Sequence, residues 1–375
     1  MSSSFIISLT IARLAALFGG TALPGLIGLT LDHTLINQII KKNKLDSVII
    51  TGTNGKTTTA RLLGAVLHLA KIDYCHNYSG SNLLRGIATT LINQSNLTGK
   101  LRHQFAVWEV DEATLPAAIK ALKPKLVVIT NLSRDQLDRY GEVDTLLSLW
   151  QKALDRLPQS STVLVNAADH RLKTLRHKNL SYFGSAQPGL GLKYPQELKA
   201  KFNLDSLWAV EAVCRKLKLD SRLVRQAALS TPPAFGRGEV FELNQAVYQI
   251  NLVKNPASLK AVWQMIYDRK HLNQPLLLIL NDQIADGTDV SWIWDAPLPG
   301  LAKRRTPVVA SGRRANDLAL RLKYAGLKPE LIMVEPKIKQ AFKKLQSLPG
   351  TIKYILPTYT AMLELRRHLN KDPWN

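Results

Sequence analysis

Short apolar runs alternate with stretches of helical periodicity along most of the chain. The strand-like runs lie at residues 47–50, 105–110, 126–130, 162–166, 276–280, 307–310, 331–334 and 352–356. Helical patterns fall between several of these runs, at residues 113–122, 143–156 and 205–218. Such alternation is typical of parallel sheets that are covered by helices on both faces. The pattern therefore predicts an α/β fold.

A stretch rich in proline and glycine, Thr-Pro-Pro-Ala-Phe-Gly-Arg-Gly at residues 231–238, divides this pattern in two. Such a composition suits an ordered linker between domains. The chain has 375 residues, whereas one domain usually has about 100–200. We predict a helical extension at residues 1–45, a first α/β domain at 46–230, the linker at 231–238 and a second, Rossmann-like α/β domain at 239–375.

The first part of the chain, residues 5–31, is strongly apolar. Arg13, Gly19-Gly20, Pro24 and Gly25 interrupt it, so it contains no 18-residue run fit to be a transmembrane helix. We predict that residues 4–18 form an amphipathic helix that packs on the domain. Contact with a membrane surface is the alternative.

The chain is strongly basic, with 50 Lys and Arg against 28 Asp and Glu and a formal net charge of +22. This charge favours anionic partners such as nucleotides, polyphosphates, phospholipid headgroups or nucleic acid. The basic clusters are not interleaved with aromatic residues, so we do not expect a nucleic-acid partner. Two cysteines, Cys75 and Cys214, are too few for a disulfide framework or a four-thiolate zinc site. They predict a reducing, cytoplasmic compartment and buried structural thiols.

A glycine-rich loop joins the first strand-like run to a helical pattern. Its residues are Thr51-Gly52-Thr53-Asn54-Gly55-Lys56-Thr57-Thr58-Thr59. Glycines let backbone N–H groups turn toward phosphate oxygens, and a helix start adds the positive end of its dipole. Lys56 would then reach the terminal phosphates, and the hydroxyl of Thr57 or Thr58 would ligate Mg²⁺. The loop predicts binding of a nucleoside triphosphate, although Gly52 and Gly55 lie closer together than in the general phosphate-loop pattern. The alternative is a loop that only connects strand and helix.

Carboxylates follow the apolar run that begins at residue 105. A strand end beside a phosphate loop is where a Mg²⁺ ligand belongs, because the metal must bridge loop hydroxyl, carboxylate and phosphate. Glu109 is the first candidate, and Asp111 could join it through strand alternation. For Asp111 and Glu112 the alternative is a pair of solvated carboxylates at a helix start.

The loop resembles that of the Mur ligase superfamily, ATP-dependent amide ligases in which the shorter spacing is usual. Thr130 and Asn131, followed by Asp135 and Asp138, resemble the superfamily's next motif. Many members have a histidine in place of Gln136 that helps to hold a second Mg²⁺. Glutamine is a poorer metal ligand, so the sequence leaves a second Mg²⁺ open.

Longer segments resemble the MurT-type subunits of lipid II isoglutaminyl synthases, a family within that superfamily. These segments are residues 80–86, 108–113, 134–141, 281–282, 285–295, 311–317 and 320–326. The resemblance implies a Mur ligase-like central P-loop ATPase domain with a parallel sheet, followed by the Rossmann-like domain. Many members carry a four-cysteine zinc ribbon in the central domain. The stretch of this chain that would carry the ribbon, residues 166–202, has no cysteine, so no zinc is expected.

The resemblance also implies a reaction. The chain would use ATP and Mg²⁺ to phosphorylate the α-carboxylate of D-glutamate in lipid II, and ammonia would convert the acyl phosphate to D-isoglutamine. A separate glutaminase subunit, joined to this chain in a heterodimer, would release the ammonia from glutamine. The positive charge suits a lipid pyrophosphate at the inner face of an anionic membrane. The alternatives are a stand-alone Mur-type ligase that adds an amino acid to a carboxylate, and a basic nucleic-acid-binding ATPase.

The family's residue roles carry over to matching positions. Lys56, Thr57 and Glu109 would serve ATP and Mg²⁺. Asn203 resembles a residue of the adenine-contacting segment, and Arg237 resembles a linker arginine that reaches the γ-phosphate. The alternatives are a polar helix start for Asn203 and a linker salt bridge for Arg237.

Four further positions receive implied roles. Asn166 and Asp169 would line the nucleotide site. Asp289, or as second choice Asp286, would complete the Cys-His pair of the glutaminase by orienting its imidazole. The alternative for both aspartates is a turn-forming role.

Overall fold

The computed structural model describes residues 3–15, 22–77, 82–132, 143–184, 194, 204–231 and 236–369. These residues belong to two compact units. The described residues up to 231 belong to the first unit, and residues 236–369 belong to the second. Each unit contains a six-stranded sheet, and the predicted α/β class is confirmed.

The sheet of the first unit is parallel throughout. Its strands are β1 (Asp46–Thr51), β2 (Tyr74–His76), β3 (Phe105–Glu109), β4 (Leu126–Ile129), β5 (Thr162–Asn166) and β6 (Leu180–Phe183), in the order β2-β3-β1-β4-β5-β6. The described helices of this unit are α1 (Ser3–Ala15), α2 (Leu23–Leu31), α3 (Leu35–Asn43), α4 (Lys56–Leu69), α5 (Leu84–Gln94), α6 (Leu115–Leu122), α7 (Val143–Leu154), α8 (Leu204–Lys216) and α9 (Arg222–Ser230).

The strand register brings three carboxyl ends together. Ile50 of β1 lies opposite both Glu109 of β3 and Val128 of β4. Because parallel strands end at the same edge of a sheet, the segments that follow β1, β3 and β4 meet there. The buried side chains of Leu62, Leu63 and Val66 hold α4 against the sheet. The fold therefore places the phosphate loop beside Glu109.

The second unit has a mixed sheet. Its strands are β7 (Arg237–Leu243), β8 (Ala246–Asn251), β9 (Leu276–Ile279), β10 (Val308–Ser311), β11 (Ile332–Val334) and β12 (Ile352–Pro357), in the order β11-β10-β9-β12-β8-β7. Its helices within the described range are α10 (Pro256–Asp268), α11 (Ala315–Tyr324), α12 (Ile338–Ser347) and α13 (Tyr359–His368).

The hairpin of β7 and β8 departs from the predicted all-parallel arrangement, because these two strands pair antiparallel. Asn244 and Gln245 form the turn between them with φ angles of 50° and 61°. Two residues with positive φ between hairpin strands are typical of a type I′ turn. Such turns usually contain glycine, so the Asn-Gln pair did not predict the hairpin.

The predicted N-terminal helix is present as α1, which begins at Ser3 and ends at Ala15, and residues 16–21 lie outside the described part. Its predicted amphipathic character is wrong, because the exposed side of α1 carries Ile6, Ile7, Ile11 and Leu14. The buried side chains of Phe5, Leu9 and Ala12 hold α1 on the unit. In the part of the chain that the structure describes, no helix is long and apolar enough to cross a membrane. Both cysteines are buried, as predicted, and burial raises the pKa of each thiol to about 12.

Candidate nucleotide-binding site

The glycine-rich loop after β1 has a shape that only glycine permits at its first turn. Gly52 has a φ of +125°, and a Cβ there would lie 2.3 Å from Thr130 Oγ1 and 2.6 Å from the carbonyl oxygen of Asn131. Gly55, with a φ of +88°, immediately precedes α4. Residues other than glycine rarely adopt these angles. The two glycines therefore allow the loop to turn tightly against the end of β4.

Residues that follow β4 hold the backbone of this loop. The Asn131 side chain accepts from the Asn54 N–H at 2.9 Å and donates to the Asn54 carbonyl oxygen at 2.9 Å. Thr130 Oγ1 donates to that same carbonyl at 2.7 Å, and the Thr53 N–H donates to the Asn131 carbonyl. These contacts fix the loop backbone.

The start of α4 has the properties of an anion site. Gly55 has no side chain to cap the helix, and no described side chain replaces it. The N–H groups of Lys56, Thr57 and Thr58 lie in the first turn of α4, where backbone N–H groups have no acceptor within the helix. An uncapped helix start after a glycine-rich turn fits a phosphate group, because both the N–H groups and the helix dipole favour negative charge.

Lys56 is buried and forms an ion pair with Glu112. Its ammonium lies 3.2 Å from both carboxylate oxygens of Glu112, 2.5 Å from the Gly52 carbonyl oxygen and 3.5 Å from that of Thr53. Glu112 is only 5% exposed, and its carbonyl oxygen accepts from Trp150 Nε1 at 2.8 Å. The alternative of a solvated Glu112 is therefore wrong. Sequence reasoning missed this partner because no local pattern connects residues 56 positions apart.

Thr57 and Glu109 lie together, as the sequence predicted for a pair of metal ligands. Thr57 Oγ1 donates to Glu109 Oε1 at 2.9 Å. The Asn77 side chain binds both the N–H and the carbonyl of Glu109, at 2.9 and 2.8 Å, and so fixes the end of β3. Asn77 is a further site residue that the sequence pattern did not reveal.

This donor pair fits Mg²⁺. Mg²⁺ usually keeps several waters and binds through one or two protein oxygens plus substrate phosphates. The Thr57 hydroxyl and the Glu109 carboxylate, beside the glycine-rich loop, would supply such protein oxygens. Asp111 is buried, and its Oδ1 accepts from the Ala113 N–H at 3.3 Å, so the alternative of a solvated Asp111 is also wrong. The described residues contain no group of three or more His, Cys, Asp or Glu that could hold a metal by themselves.

Asn166 is the last residue of β5, the next strand of the sheet, and Asp169 follows three positions later. Asp169 Oδ2 accepts from the Leu132 N–H at 2.7 Å, which ties it to the segment that holds the loop. Asn166 binds the Ala168 N–H through Oδ1 at 2.9 Å and also hydrogen-bonds to Asp205. Burial raises the pKa of the Asp205 carboxyl, and the bond from Asn166 opposes this. Both predicted residues thus lie at the sheet edge that carries the loop.

Some predicted residues lie outside the described part of the chain. Gly80, Ser81, Asn203 and the motif at residues 134–141, with Asp135, Gln136 and Asp138, belong to this group. Arg237 is described only as the first residue of β7. Their roles remain predictions.

In the second unit, Asp286 is buried and binds the start of α13. Its Oδ1 accepts from the Thr360 N–H at 2.8 Å and its Oδ2 accepts from the Thr360 hydroxyl. Asn281 Nδ2 donates to the same hydroxyl at 3.0 Å. A buried carboxylate that satisfies the first turn of a helix has a structural role.

Asp289 lies in a different environment, although only two residues separate it from Asp286. Its side chain is partly exposed, and its Oδ1 accepts from the Ser291 N–H at 2.8 Å. Gly287, with a φ of +89°, turns the chain between the two aspartates. The structure thus separates a buried helix-capping carboxylate from one that solvent reaches.

Comparisons with known proteins agree with this geometry. Residues 50–204 match the family described as Mur ligase middle domain, and residues 252–362 match the family described as MurT ligase C-terminal. The MurT subunit of the glutamine-hydrolysing lipid II isoglutaminyl synthase from Streptococcus pneumoniae is 30% identical to this chain. That similarity covers 95% of this chain and 94% of the relative.

Two solved structures show the same fold. MurF ligase from Thermotoga maritima in complex with ADP has a TM-score of 0.69 at 14% identity, over 90% of this chain and 83% of that chain. The folylpolyglutamate synthase/dihydrofolate synthase from Yersinia pestis, complexed with AMPPNP and a manganese ion, has a TM-score of 0.62 at 15% identity, over 89% and 92%. The Mur ligase-like architecture is thus confirmed. Since the similarity to the streptococcal subunit extends over nearly the full length of both proteins, the chain belongs to the MurT family of Mur ligases.

Proposed function

We propose that this chain is the ATP-dependent ligase subunit of a lipid II amidating enzyme in peptidoglycan synthesis. The observation that carries the proposal is the position of the Thr57–Glu109 pair beside Lys56, at an uncapped helix start. This arrangement is built to bind a metal-bound triphosphate. The streptococcal relative, named as a subunit of lipid II isoglutaminyl synthase, supports the choice of substrate.

The reaction begins with activation of a carboxylate. A carboxylate oxygen of D-glutamate in lipid II attacks the γ-phosphorus of ATP, the bond to the β-phosphate oxygen breaks, and ADP leaves. The product is an acyl phosphate, which has a good leaving group. Ammonia then attacks the carbonyl carbon and loses a proton, inorganic phosphate departs, and D-isoglutamine results.

The residues of the loop would bind and orient the triphosphate. Backbone N–H groups at the start of α4 would donate to phosphate oxygens. Lys56 would exchange the carboxylate of Glu112 for a phosphate oxygen, while its contact with the Gly52 carbonyl holds the ammonium in place. Thr57 and Glu109 would hold Mg²⁺, which neutralises charge on the transferring phosphoryl group when it is bound.

We further propose that residues 46–230 act as the ATP-binding domain and that the linker at 231–238 connects it to a second domain at 239–375. Asn166 and Asp169 would line the nucleotide site, because β5 ends at Asn166 and Asp169 comes directly after it, at the edge that carries the loop. Asn203 would contact the adenine and Arg237 the γ-phosphate. These last two roles rest on the family resemblance.

We propose that a separate glutaminase subunit forms a heterodimer with this chain and releases ammonia from glutamine. Asp289 is the residue we assign to the glutaminase triad. A carboxylate that orients a histidine of another subunit must be reachable from the surface, and Asp289 is partly exposed. Asp286 is buried on Thr360, which favours a structural role for it.

The two aspartates give a matched pair of variants. Asp289→Asn is expected to lower glutamine-driven amidation about a hundredfold or more and to leave ammonium-driven amidation unchanged, because only the glutaminase needs its carboxylate. Asp286→Asn is expected to lower the free energy of unfolding by about 1–3 kcal/mol, since an amide cannot accept both bonds from Thr360. Activity with both nitrogen sources and thermal unfolding measure these effects. Equal losses with glutamine and ammonium in Asp289→Asn would place Asp289 in the ligase site instead.

The proposed function is tested by purifying the chain with a glutaminase encoded in the same genome. The pair is incubated with lipid II, ATP and Mg²⁺, with either glutamine or ammonium, and the carboxylate-to-amide mass change is followed. We expect amidation with both sources for the pair and with ammonium alone for the isolated chain. Absence of ATP-dependent amidation with either source would refute the proposal.

A further inference from the structure

Two helices at the N-terminal end of the chain present apolar side chains to solvent. On α1, Ile7 is 57% exposed and Leu14 is 55% exposed, and on α2, Leu26 is 49% exposed. The remaining exposed leucine and isoleucine side chains of the two helices are those of Ile6, Ile11, Leu23 and Leu31. We call these seven side chains the α1–α2 face.

The opposite sides of both helices are fixed to the unit. Gly25 of α2 lies against α5, where its N–H donates to Thr89 Oγ1 at 2.9 Å. Gly28 of α2 is so close that an added Cβ would lie 3.0 Å from Ile92 of α5 and 3.3 Å from Ala12 of α1. The helices therefore lie side by side, and the α1–α2 face is turned away from α5.

The charged side chains of α1, of α2 and of the segments at the end of α3 and after α5 are mostly cations, although Asp46 is also exposed. Within the two helices the only charged side chain is that of Arg13, and its guanidinium donates to the Ser95 carbonyl oxygen at 2.7 Å. Exposed cations lie at the end of α3 and on the segment that follows α5. Lys42 connects these two segments, because its ammonium donates to the Thr98 carbonyl oxygen. These cations are Lys41, Lys42, Lys44, Lys100 and Arg102. Asp32, which follows α2, accepts hydrogen bonds from Thr34 and Gln38.

We propose that the α1–α2 face docks this subunit on the surface of an anionic phospholipid bilayer. The inference rests on the proposed function, because a lipid-linked substrate lies in such a bilayer. Short helices whose exposed side chains are mostly aliphatic, with lysines on neighbouring segments, suit the plane of a membrane interface. A protein-binding face usually has aromatic or arginine anchors at its centre, and among its described side chains this face has neither.

The test uses the full-length chain and vesicles of phosphatidylcholine with or without phosphatidylglycerol. We expect the wild type to float with the vesicles that contain phosphatidylglycerol. The triple variant Ile7→Gln, Leu14→Gln and Leu26→Gln is expected to bind them at least about tenfold more weakly, since three apolar anchors are lost from the interface. A matched control, Leu149→Gln with Leu229→Gln and Val240→Gln, changes three exposed apolar side chains elsewhere and is expected to bind like the wild type.

A second variant set tests the electrostatic part. Lys41→Gln, Lys44→Gln and Lys100→Gln together are expected to reduce binding to phosphatidylglycerol vesicles about tenfold or more, because each lysine near the surface contributes to attraction. Unchanged binding of the apolar triple variant, or no flotation of the wild type, would overturn the proposal. A wild-type dimer that becomes monomeric in the triple variant without any flotation would instead identify an interface between copies. The triple variant is expected to amidate a short-chain, water-soluble lipid II analogue like the wild type. Its loss of vesicle binding can then be distinguished from a failure of the proposed function.

Discussion

Lys56→Ala is expected to lower ATP-dependent amidation at least about a thousandfold, because it removes the cation assigned to the transferring phosphoryl group. The loss should be the same with glutamine and with ammonium, since both reactions need the acyl phosphate. Initial rates of ADP release and of amide formation, measured at saturating ATP, give the effect. Rates within tenfold of the wild type would remove Lys56 from the reaction.

The structure calls for a control, because Lys56→Ala leaves Glu112 buried without its ion-pair partner. Removing one member of a buried pair typically costs about 3–5 kcal/mol of stability. The double variant Lys56→Ala with Glu112→Gln replaces that charge by a neutral amide and should recover much of this loss in thermal unfolding. If its activity stays as low as that of Lys56→Ala, the kinetic effect belongs to the missing ammonium and not to a weakened fold.

Glu109→Gln is expected to lower turnover by about two to three orders of magnitude at ordinary Mg²⁺ concentrations. The amide keeps the size of the side chain but removes the negative charge that attracts the metal. Raising the Mg²⁺ concentration should recover part of the activity, so the measured quantity is the Mg²⁺ concentration for half-maximal rate.

Variants of Thr57 provide the matched comparison for this metal site. Thr57→Ser keeps the hydroxyl that lies beside Glu109 and is expected to retain most of the activity. Thr57→Val keeps the shape but not the hydroxyl, and its Mg²⁺ requirement should rise together with that of Glu109→Gln. If neither Glu109→Gln nor Thr57→Val changes the Mg²⁺ concentration for half-maximal rate, the metal binds elsewhere.

Most of the central strands could be predicted from the sequence. The eight predicted apolar runs correspond to β1, β3, β4, β5, β9, β10, β11 and β12. All of these except β11 are inner strands of the two sheets, and strands that are buried on both faces are mostly apolar. The strands that escaped prediction are β2, β6, β7 and β8. At Tyr74–His76 and Leu180–Phe183 the strands are short edge strands. Such strands contain too few consecutive apolar residues to be distinguished from a loop by sequence.

The site was predicted only in part, and the reason is the distance along the chain between its members. Gly52, Gly55, Lys56 and Thr57 lie in one continuous loop, so their spacing alone indicates a phosphate site. Glu109 could be added because it ends an apolar strand. The ion pair of Glu112 with Lys56 depends on how two sheet loops fold against each other, and no local periodicity records it.

The loop that binds phosphate in this proposal takes its shape from a segment 77 residues further along the chain, where Asn131 binds Asn54. Its sequence is therefore not a portable module. Moved into another scaffold without the end of β4, the same nine residues would lack the contacts that set their backbone. During synthesis on the ribosome, nucleotide binding must likewise wait until β4 has emerged and paired with β1. The loop would thus acquire the ability to hold ATP only after β4 and Asn131 have been made, 77 residues after Asn54 of the loop itself.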